Sequence, residues 1–311
     1  MKEYVLNYYP EFKCIAQNCK HTCCKDWETC IDKQTLIEYK KEASSFSNKL
    51  KNGVNFKKST FKRGKDKRCA FLNDKGLCEI ISNLGEERLC QICRDHPRFK
   101  SGFSGVTETG LGFCCEEAGR IIFSFDKKIE PVLVKDDNAC EEFDFCEKAV
   151  LNFRSLVLDI LQDRTTSIND RVNKVLSISN ADFNKSDFLK IIKTYLSLKR
   201  LNKSWTLRLK SLKSKPFNFS VMDSLSVYCE QFLVNSVYRH LSTADDIVRA
   251  QSIIVAIVFS WLLIQNIYSV EVTQNEEFAT IVDVTREFSA EVEYCPQNLT
   301  KLFNFTNKFI K

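Results

Sequence analysis

Eleven of the fifteen cysteines in this 311-residue chain fall within its first 115 residues. They stand as Cys14, Cys19, Cys23, Cys24 and Cys30, then Cys69 and Cys78, then Cys90 and Cys93, then Cys114 and Cys115. A segment this rich in thiols either closes disulfides, which needs an oxidising compartment, or gathers thiolates on a metal. Residues 1–13, MKEYVLNYYPEFK, mix charge with aromatics and contain no apolar stretch or small-residue cleavage site of a secretory leader. The expected compartment is the cytoplasm, where thiols stay reduced, and this moves the expectation from disulfides to metal or cluster ligation.

Spacing narrows the chemistry without choosing the metal. Cys90-x-x-Cys93 lets both sulfurs point at one centre. Cys23–Cys24 and Cys114–Cys115 are adjacent pairs, whose two members rarely reach the same ion. Soft thiolates select zinc or iron–sulfur clusters; a redox disulfide relay is the third possibility. The bacterial ferredoxin run is absent. A C-x3-C-x2-C run is also absent, because Asp26 occupies the third position after Cys19 and Cys23.

Beyond residue 115 the character changes. Only five Pro and nine Gly punctuate the chain, which favours long helices over many short strands. The expected fold is mostly α: a cysteine-rich N-terminal module (1–130) with loops around a metal centre, packed on a helical C-terminal domain (140–311). A linker is expected near 126–139. Ala149, Val150, Phe153, Leu156, Val157, Ile160 and Leu161 form an apolar stripe at helical spacing. Ser167 ahead of Asp170 reads as a cap, as does Ser186 ahead of Phe188, Leu189, Ile192, Tyr195 and Leu196. Residues 221–240 predict a further helix, and Thr243-x-x-Asp246 opens another through about Tyr268. Its apolar run, residues 252–264, is thirteen residues long and short of a bilayer span, so a core helix rather than a membrane span is expected. Residues 279–292 fit strand or helix. In the first half, Asp32 caps a helix from Lys33 with Leu36 and Tyr39 inward, Asn73–Asp74 and Gly76 shape a tight loop, and residues 121–125 read as a short strand.

Net charge is +6, unevenly spread. Residues 56–68, FKKSTFKRGKDKR, carry seven basic side chains, and residues 136–147, DDNACEEFDFCE, carry six acidic ones. The basic run suits a solvated loop, or contact with nucleic acid or an acidic protein. No stacking aromatics or nucleic-acid fold accompany it, so no specific nucleic acid is expected.

Three blocks, CIAQNCKHTCCKDWETCID, CAFLNDKGLCEIISNLGEERLCQICRDHPR and GFCCEEAGRII, together resemble the signature of the flagellin lysine N-methylase (FliB) family. That family is related to proteins with a CxxCxxCC zinc- or iron-chelating domain. The flanking Trp27, Gly85, Arg94, Pro97 and Arg98 fit as well. The likeness extends into RSLVLDILQDRTTSINDRV and YCEQFLVNSVYRHL of the helical half. In the third block, where relatives read Ser-Cys-Pro-Glu, this chain has Cys114-Cys115-Glu116-Glu117. The resemblance implies methyl transfer from S-adenosylmethionine to lysines of flagellin or a similar surface protein. It also implies a 4Fe-4S cluster, with zinc as the alternative metal. The implied ligands are Cys14, Cys19, Cys23, Cys24, Cys69, Cys78, Cys90, Cys93 and Cys115, more than one four-thiolate centre needs. A non-catalytic zinc- or iron-chelating or metal-delivery protein is the alternative.

A lysine attacks only as the neutral amine, so a methylase needs a proton acceptor near its target. Asp26, Glu79 and Glu116 are the candidates, with Tyr8, Tyr9 and Glu117 nearby in sequence. Trp27 offers an aromatic face to a sulfonium. Arg94, His96 and Arg98 can offset thiolate charge or take a donor carboxylate. No G-x-G-x-x-G follows a strand; glycines 102, 105, 110 and 112 supply only a glycine-bearing loop.

Overall fold

The computed structural model describes residues 1–138, 143–212 and 216–311, without the side chains at 185, 186, 188 and 189. Cys140 in the acidic segment and the side chains of Phe188 and Leu189 lie outside what is described, while Ser186, expected as a cap, falls inside a helix that starts at Lys185. In chain order the first elements are β1 (Lys2–Leu6), α1 (Lys33–Lys41), α2 (Ser47–Gly53), β2 (Val54–Asn55) and β3 (Thr60–Phe61). Next come α3 (Glu79–Leu84), α4 (Gln91–Asp95), β4 (Arg98–Phe103), β5 (Val106–Leu111), α5 (Glu116–Ser124) and β6 (Pro131–Asp136). The helices α6 (Phe145–Leu161), α7 (Ile168–Ile178), α8 (Lys185–Leu196) and α9 (Lys203–Ser211) follow. The chain closes with α10 (Ser226–His240), α11 (Ile247–Glu271), α12 (Glu277–Phe288) and α13 (Pro296–Thr306). The protein is mostly helical, and packing groups it into two units: Lys13–Arg98, and Met1–Phe12 with Phe99–Lys311.

The larger unit joins a four-stranded sheet, in the order β4-β5-β1-β6, to a helical bundle. β1 runs parallel to β5 and antiparallel to β6. Here the expected linker at 126–139 instead contributes the strand β6: Val132 and Leu133 pair with Val5 and Tyr4 of β1, a partner more than a hundred residues away, and the register shifts at Val134. Residues 121–125 are also corrected. They belong to α5 and the residue after it, because Ala118, Ile122 and Phe123 bury one face at helical spacing. Residues 279–292 resolve as α12 followed by a π-helical turn at Ser289–Glu293.

Local signals fix the bundle's helix starts. Asp144 and Glu147 make a reciprocal capping box on α6. The Ser167 hydroxyl accepts from Asp170 N at 3.1 Å on α7. On α11 the cap is Asp246, accepting from Arg249 N at 2.7 Å, while Thr243 bonds back to the His240 carbonyl. The apolar run at 252–264 extends into α11, whose 25 residues are long and apolar enough to cross a membrane, so its shortness does not decide its surroundings. Of its most apolar window, 83% is buried within the protein, where α6, α7, α9, α10, α12 and α13 pack around it. Buried charge in this unit includes two paired clusters: Glu230 takes Arg164 and Arg171, and Glu108 takes both terminal nitrogens of Arg154 at 2.7 Å.

The smaller unit has its own core, including Tyr39, Leu50, Phe61, Phe71 and Ile80. Its elements are short and its turns specific. A Cβ at Gly53 would lie 2.4 Å from the Phe71 ring, so only glycine lets α2 approach that ring. The Asn73 side chain accepts from Lys75 N and Leu77 N at 3.0 Å, and Gly76 takes φ 76°, forming the tight loop that the sequence predicts.

Candidate metal centre

Within residues 13–98, backbone pairing draws separate cysteine blocks together. Cys69 N donates to Cys24 O at 2.8 Å, and Lys25 bridges Arg68 beside them. Leu72 bridges Cys78, so the tight loop returns Cys78 towards Cys69. Cys90 precedes α4 as its N-cap residue and is buried, and Cys93 N donates to Cys90 O at 3.0 Å. The side chains of Cys69, Cys78 and Cys93 pack against the same core that contains Cys90.

Their ionisation records this proximity. Burial pushes the Cys69 thiol up to about 12, and the charges of Cys24, Cys78 and Cys90 add to it. Burial likewise raises Cys78, with Cys24 and Cys90 contributing. The Cys23 thiol donates to Cys24 and brings it down to about 7 against the burial penalty. In the Cys90–Cys93 pair a shared hydrogen bond lowers Cys90 and raises Cys93, so the first proton leaves Cys90. Five sulfurs in one neighbourhood fit zinc or an iron–sulfur cluster by donor type. They do not fit by geometry: among the described residues no three His, Cys, Asp or Glu side chains converge to hold an ion.

Of the other expected ligands, Cys14 and Cys23 are exposed, and Cys19 Sγ bonds the His21 carbonyl at 3.3 Å; Cys30, outside that set, is exposed as well. Cys115 belongs to the larger unit, as N-cap residue of α5. Beside it, burial pushes Cys114 up to about 12, with a hydrogen bond to the Tyr294 side chain acting against it. No described cysteine is in a disulfide.

Of the residues expected near a donor, Trp27 and His96 stack with ring centroids 6.1 Å apart, and Trp27 Nε1 donates to Cys23 O at 2.6 Å. Arg94 donates to Glu87 O and to the Gln91 side chain, and Arg98 donates to Arg94 O at 3.0 Å, so both brace α4. Asp26 follows Cys24 closely, holds a left-handed backbone at φ 73° and faces Lys67 Nζ at 4.0 Å. Glu79 pairs with Lys49, while Glu116 opens α5 in the larger unit.

Two residues gain a place at the thiols that their sequence signals understate. Tyr39 is an inward helix residue by periodicity, yet its hydroxyl donates to Arg88 O at 2.7 Å and it lies within the electrostatic reach of Cys90, Cys93 and Cys78. Asp32 is a cap by position, yet it also accepts from Gln91 N at 2.9 Å and so ties the start of α1 to the start of α4. In the larger unit a cavity of about 10 Å³, lined in part by Ser236, Ser260, His240 and Glu293, has room for one water and none for a nucleoside.

The chain is 27% identical over 118 residues to the flagellar biosynthetic protein FliU of Salmonella muenchen, a match covering 35% of this chain and 70% of that protein. It is 25% identical over 118 residues to the lysine-N-methylase of Salmonella typhimurium strain LT2, and equally to that of Salmonella choleraesuis strain SC-B67. Each of these matches covers 35% of this chain and only 29% of the methylase. No protein-family model matches the chain, and no solved structure does. The relationship to flagellar and lysine-methylating proteins is therefore distant and partial.

Proposed function

We propose that this chain is a cytoplasmic lysine N-methyltransferase that moves methyl groups from S-adenosylmethionine to flagellin or a similar surface protein. The partial likeness to lysine-N-methylases carries the proposal. The gathering of Cys24, Cys69, Cys78, Cys90 and Cys93 supports a thiolate centre in the smaller unit, for a 4Fe-4S cluster or zinc. Among the described residues these thiols are not arranged as a formed site.

In the transfer the donor's sulfur–methyl bond breaks, the lysine nitrogen–methyl bond forms, and the amine's proton must leave. Asp26 is the carboxylate suited to take that proton, since it stands two residues from Cys24. The Trp27–His96 stack offers a flat aromatic face for the positive sulfonium. The test is incubation of anaerobically purified protein with flagellin and labelled S-adenosylmethionine. Flagellin lysines gaining mass in steps of about 14 Da are the expected result; no gain by fully metal-loaded protein overturns it.

A second reading, a chelating or metal-delivery protein without catalysis, is favoured by the exposed thiols of Cys14, Cys23 and Cys30. It predicts that bound metal passes to an apo acceptor on mixing, while flagellin stays unmodified.

A further inference from the structure

The cysteine-rich unit is far more basic than the chain as a whole. Residues 13–98 hold 19 lysines and arginines against 11 aspartates and glutamates, whereas the full chain holds 46 against 40. The remainder is thus slightly acidic. Lys57, Lys58, Lys62, Arg63, Lys65 and Lys67 are all exposed, and they occupy two consecutive turns. The first turn joins β2 to β3, and the Asn55 side chain accepts from Lys58 N at 3.1 Å. The second follows β3 and returns through the Arg63–Cys69 bridge, closed by Gly64 N to Arg68 O at 2.9 Å and Lys67 N to Gly64 O at 3.0 Å. Backbone bonds therefore hold these charges in place. Among the described residues only Lys67 of the six has an acidic partner, Asp26.

The second turn ends at the thiols. Its last residue bonds to Cys24 O through Cys69 N, Arg68 bridges Lys25, and Lys67 O accepts from Asp26 N at 3.3 Å. A field of exposed cations thus begins where the thiol group ends, and such a field draws polyanions.

The surroundings choose among polyanions. Single-stranded nucleic acid needs exposed rings for stacking, but Phe61 is buried and Phe56 is half-buried with Lys40 over its ring. A duplex groove needs a helix or an extended ribbon, and β2 and β3 have two residues each. Asp66 and Asp26 also stand in or against the second turn, where they would face phosphates. Cations interrupted by two carboxylates suit a polypeptide of both signs, with acidic side chains around a lysine.

We propose that these two turns dock an acidic polypeptide segment and seat a lysine flanked by carboxylates at Asp26, beside Cys24. That the segment belongs to a methylation substrate rests on the proposed function; the docking does not.

Fluorescence anisotropy on the full chain tests it, with a labelled peptide of glutamates around one lysine, its glutamine counterpart, and a DNA duplex. The acidic peptide should bind, weaken as salt rises, and exceed both the glutamine peptide and the duplex. Two charge reversals, K57E/K58E on the first turn and K62E/R63E/K65E on the second, should each weaken it by about tenfold or more. Both sets are exposed, so thermal melts should match the parent; with two separate turns, a variant that melts early leaves the other decisive. Equal peptide affinity in parent and variants overturns the proposal, and tighter binding to the duplex reassigns the turns to nucleic acid and overturns it too. Peptide binding without methyl transfer to flagellin ends the proposed function and leaves the docking standing. Methyl transfer with unchanged peptide affinity in both variants does the reverse.

Discussion

In the larger unit α11 is buried along most of its 25 residues by neighbouring helices, while the longest helix of residues 13–98 has nine residues and buries two side chains, Thr35 and Tyr39. The larger unit pairs buried carboxylates internally, with Glu230, Glu108 and Glu293 each against an arginine. The smaller unit leaves thiols gathered at the edge of its core, at raised or shared ionisation, and a basic face in solvent. A segment of this size lies near the range where an apolar core alone gives little stability and a staple is usual. The difference is one of packing: one unit buries a long helix among its neighbours, and the other builds a small core of short elements with thiols at its edge.

The sharpest way to break that comparison is to test the proposed thiolate centre. If the centre holds metal in solution, a strong chelator, or Cys69→Ser or Cys90→Ser, should abolish hydrogen-exchange protection across residues 13–98 and leave residues 99–311 protected, since structural metal sites supply about 10–16 kcal/mol of apparent folding energy. Equal loss in both units, or none in either, would erase the distinction. Metal uptake should also strengthen with rising pH, because Cys69 and Cys78 must shed protons that burial makes them keep.

Glu230→Ala tests the opposite side. It leaves the buried Arg171 without its carboxylate, and the helical unit should lose about 3–5 kcal/mol in denaturant melts, with the thiol unit's metal content unchanged.

Acid should also weaken the larger unit. Burial holds the His240 imidazole below its ordinary value, against the pull of Glu293. Burial pushes Glu293 up, but Arg239 and His240 outweigh it and hold the carboxyl at about 2. Below about pH 6.5 the unfolded histidine takes a proton that the folded one refuses, so stability falls. The fall deepens below the ordinary carboxyl range, as the unfolded glutamate is protonated and the folded one is not. A melting temperature of residues 99–311 that is flat from pH 7 to about 4 would contradict this.

The smallest effects compare two caps. Ser167→Ala should cost about 1 kcal/mol, a local loss on α7. Asp32→Ala should cost up to about 2 kcal/mol and also lower metal occupancy, because Asp32 holds α1 and the Cys90 turn together.

Much of the bundle was legible. The α6 stripe, the Ser167 cap and the buried run at 252–264 are local patterns, and helices form from local bonds. The Asn73–Gly76 loop was legible for the same reason. The sheet was not: β1 pairs with β5 and β6, each about a hundred or more residues away, and short strands at 2–6 and 131–136 carry no periodic signal long enough to announce them. Residues 121–125 misled because a short apolar run satisfies strand and helix alike until its packing partners are known. At the candidate site, cysteine identity and the Cys90-x-x-Cys93 spacing were plain, while the unit to which Cys115 belongs was not, because composition marks a division near residue 130 and packing marks it after residue 98.

By itself the sequence determined the chemistry on offer: soft thiolates in dense blocks, a basic run beside them, and helices long enough to build a core. Only tertiary structure decided which thiols come near one another, bringing Cys24, Cys69, Cys78, Cys90 and Cys93 into one neighbourhood and leaving Cys14, Cys23 and Cys30 in solvent. The physical reason is that ligand identity is a property of a residue, whereas proximity depends on bonds such as Cys69 N to Cys24 O and Gln91 N to Asp32, made between residues far apart in the chain. The adjacent pair is divided the same way: Cys23 faces solvent and hydrogen-bonds its neighbour, while Cys24 turns inward to the thiols.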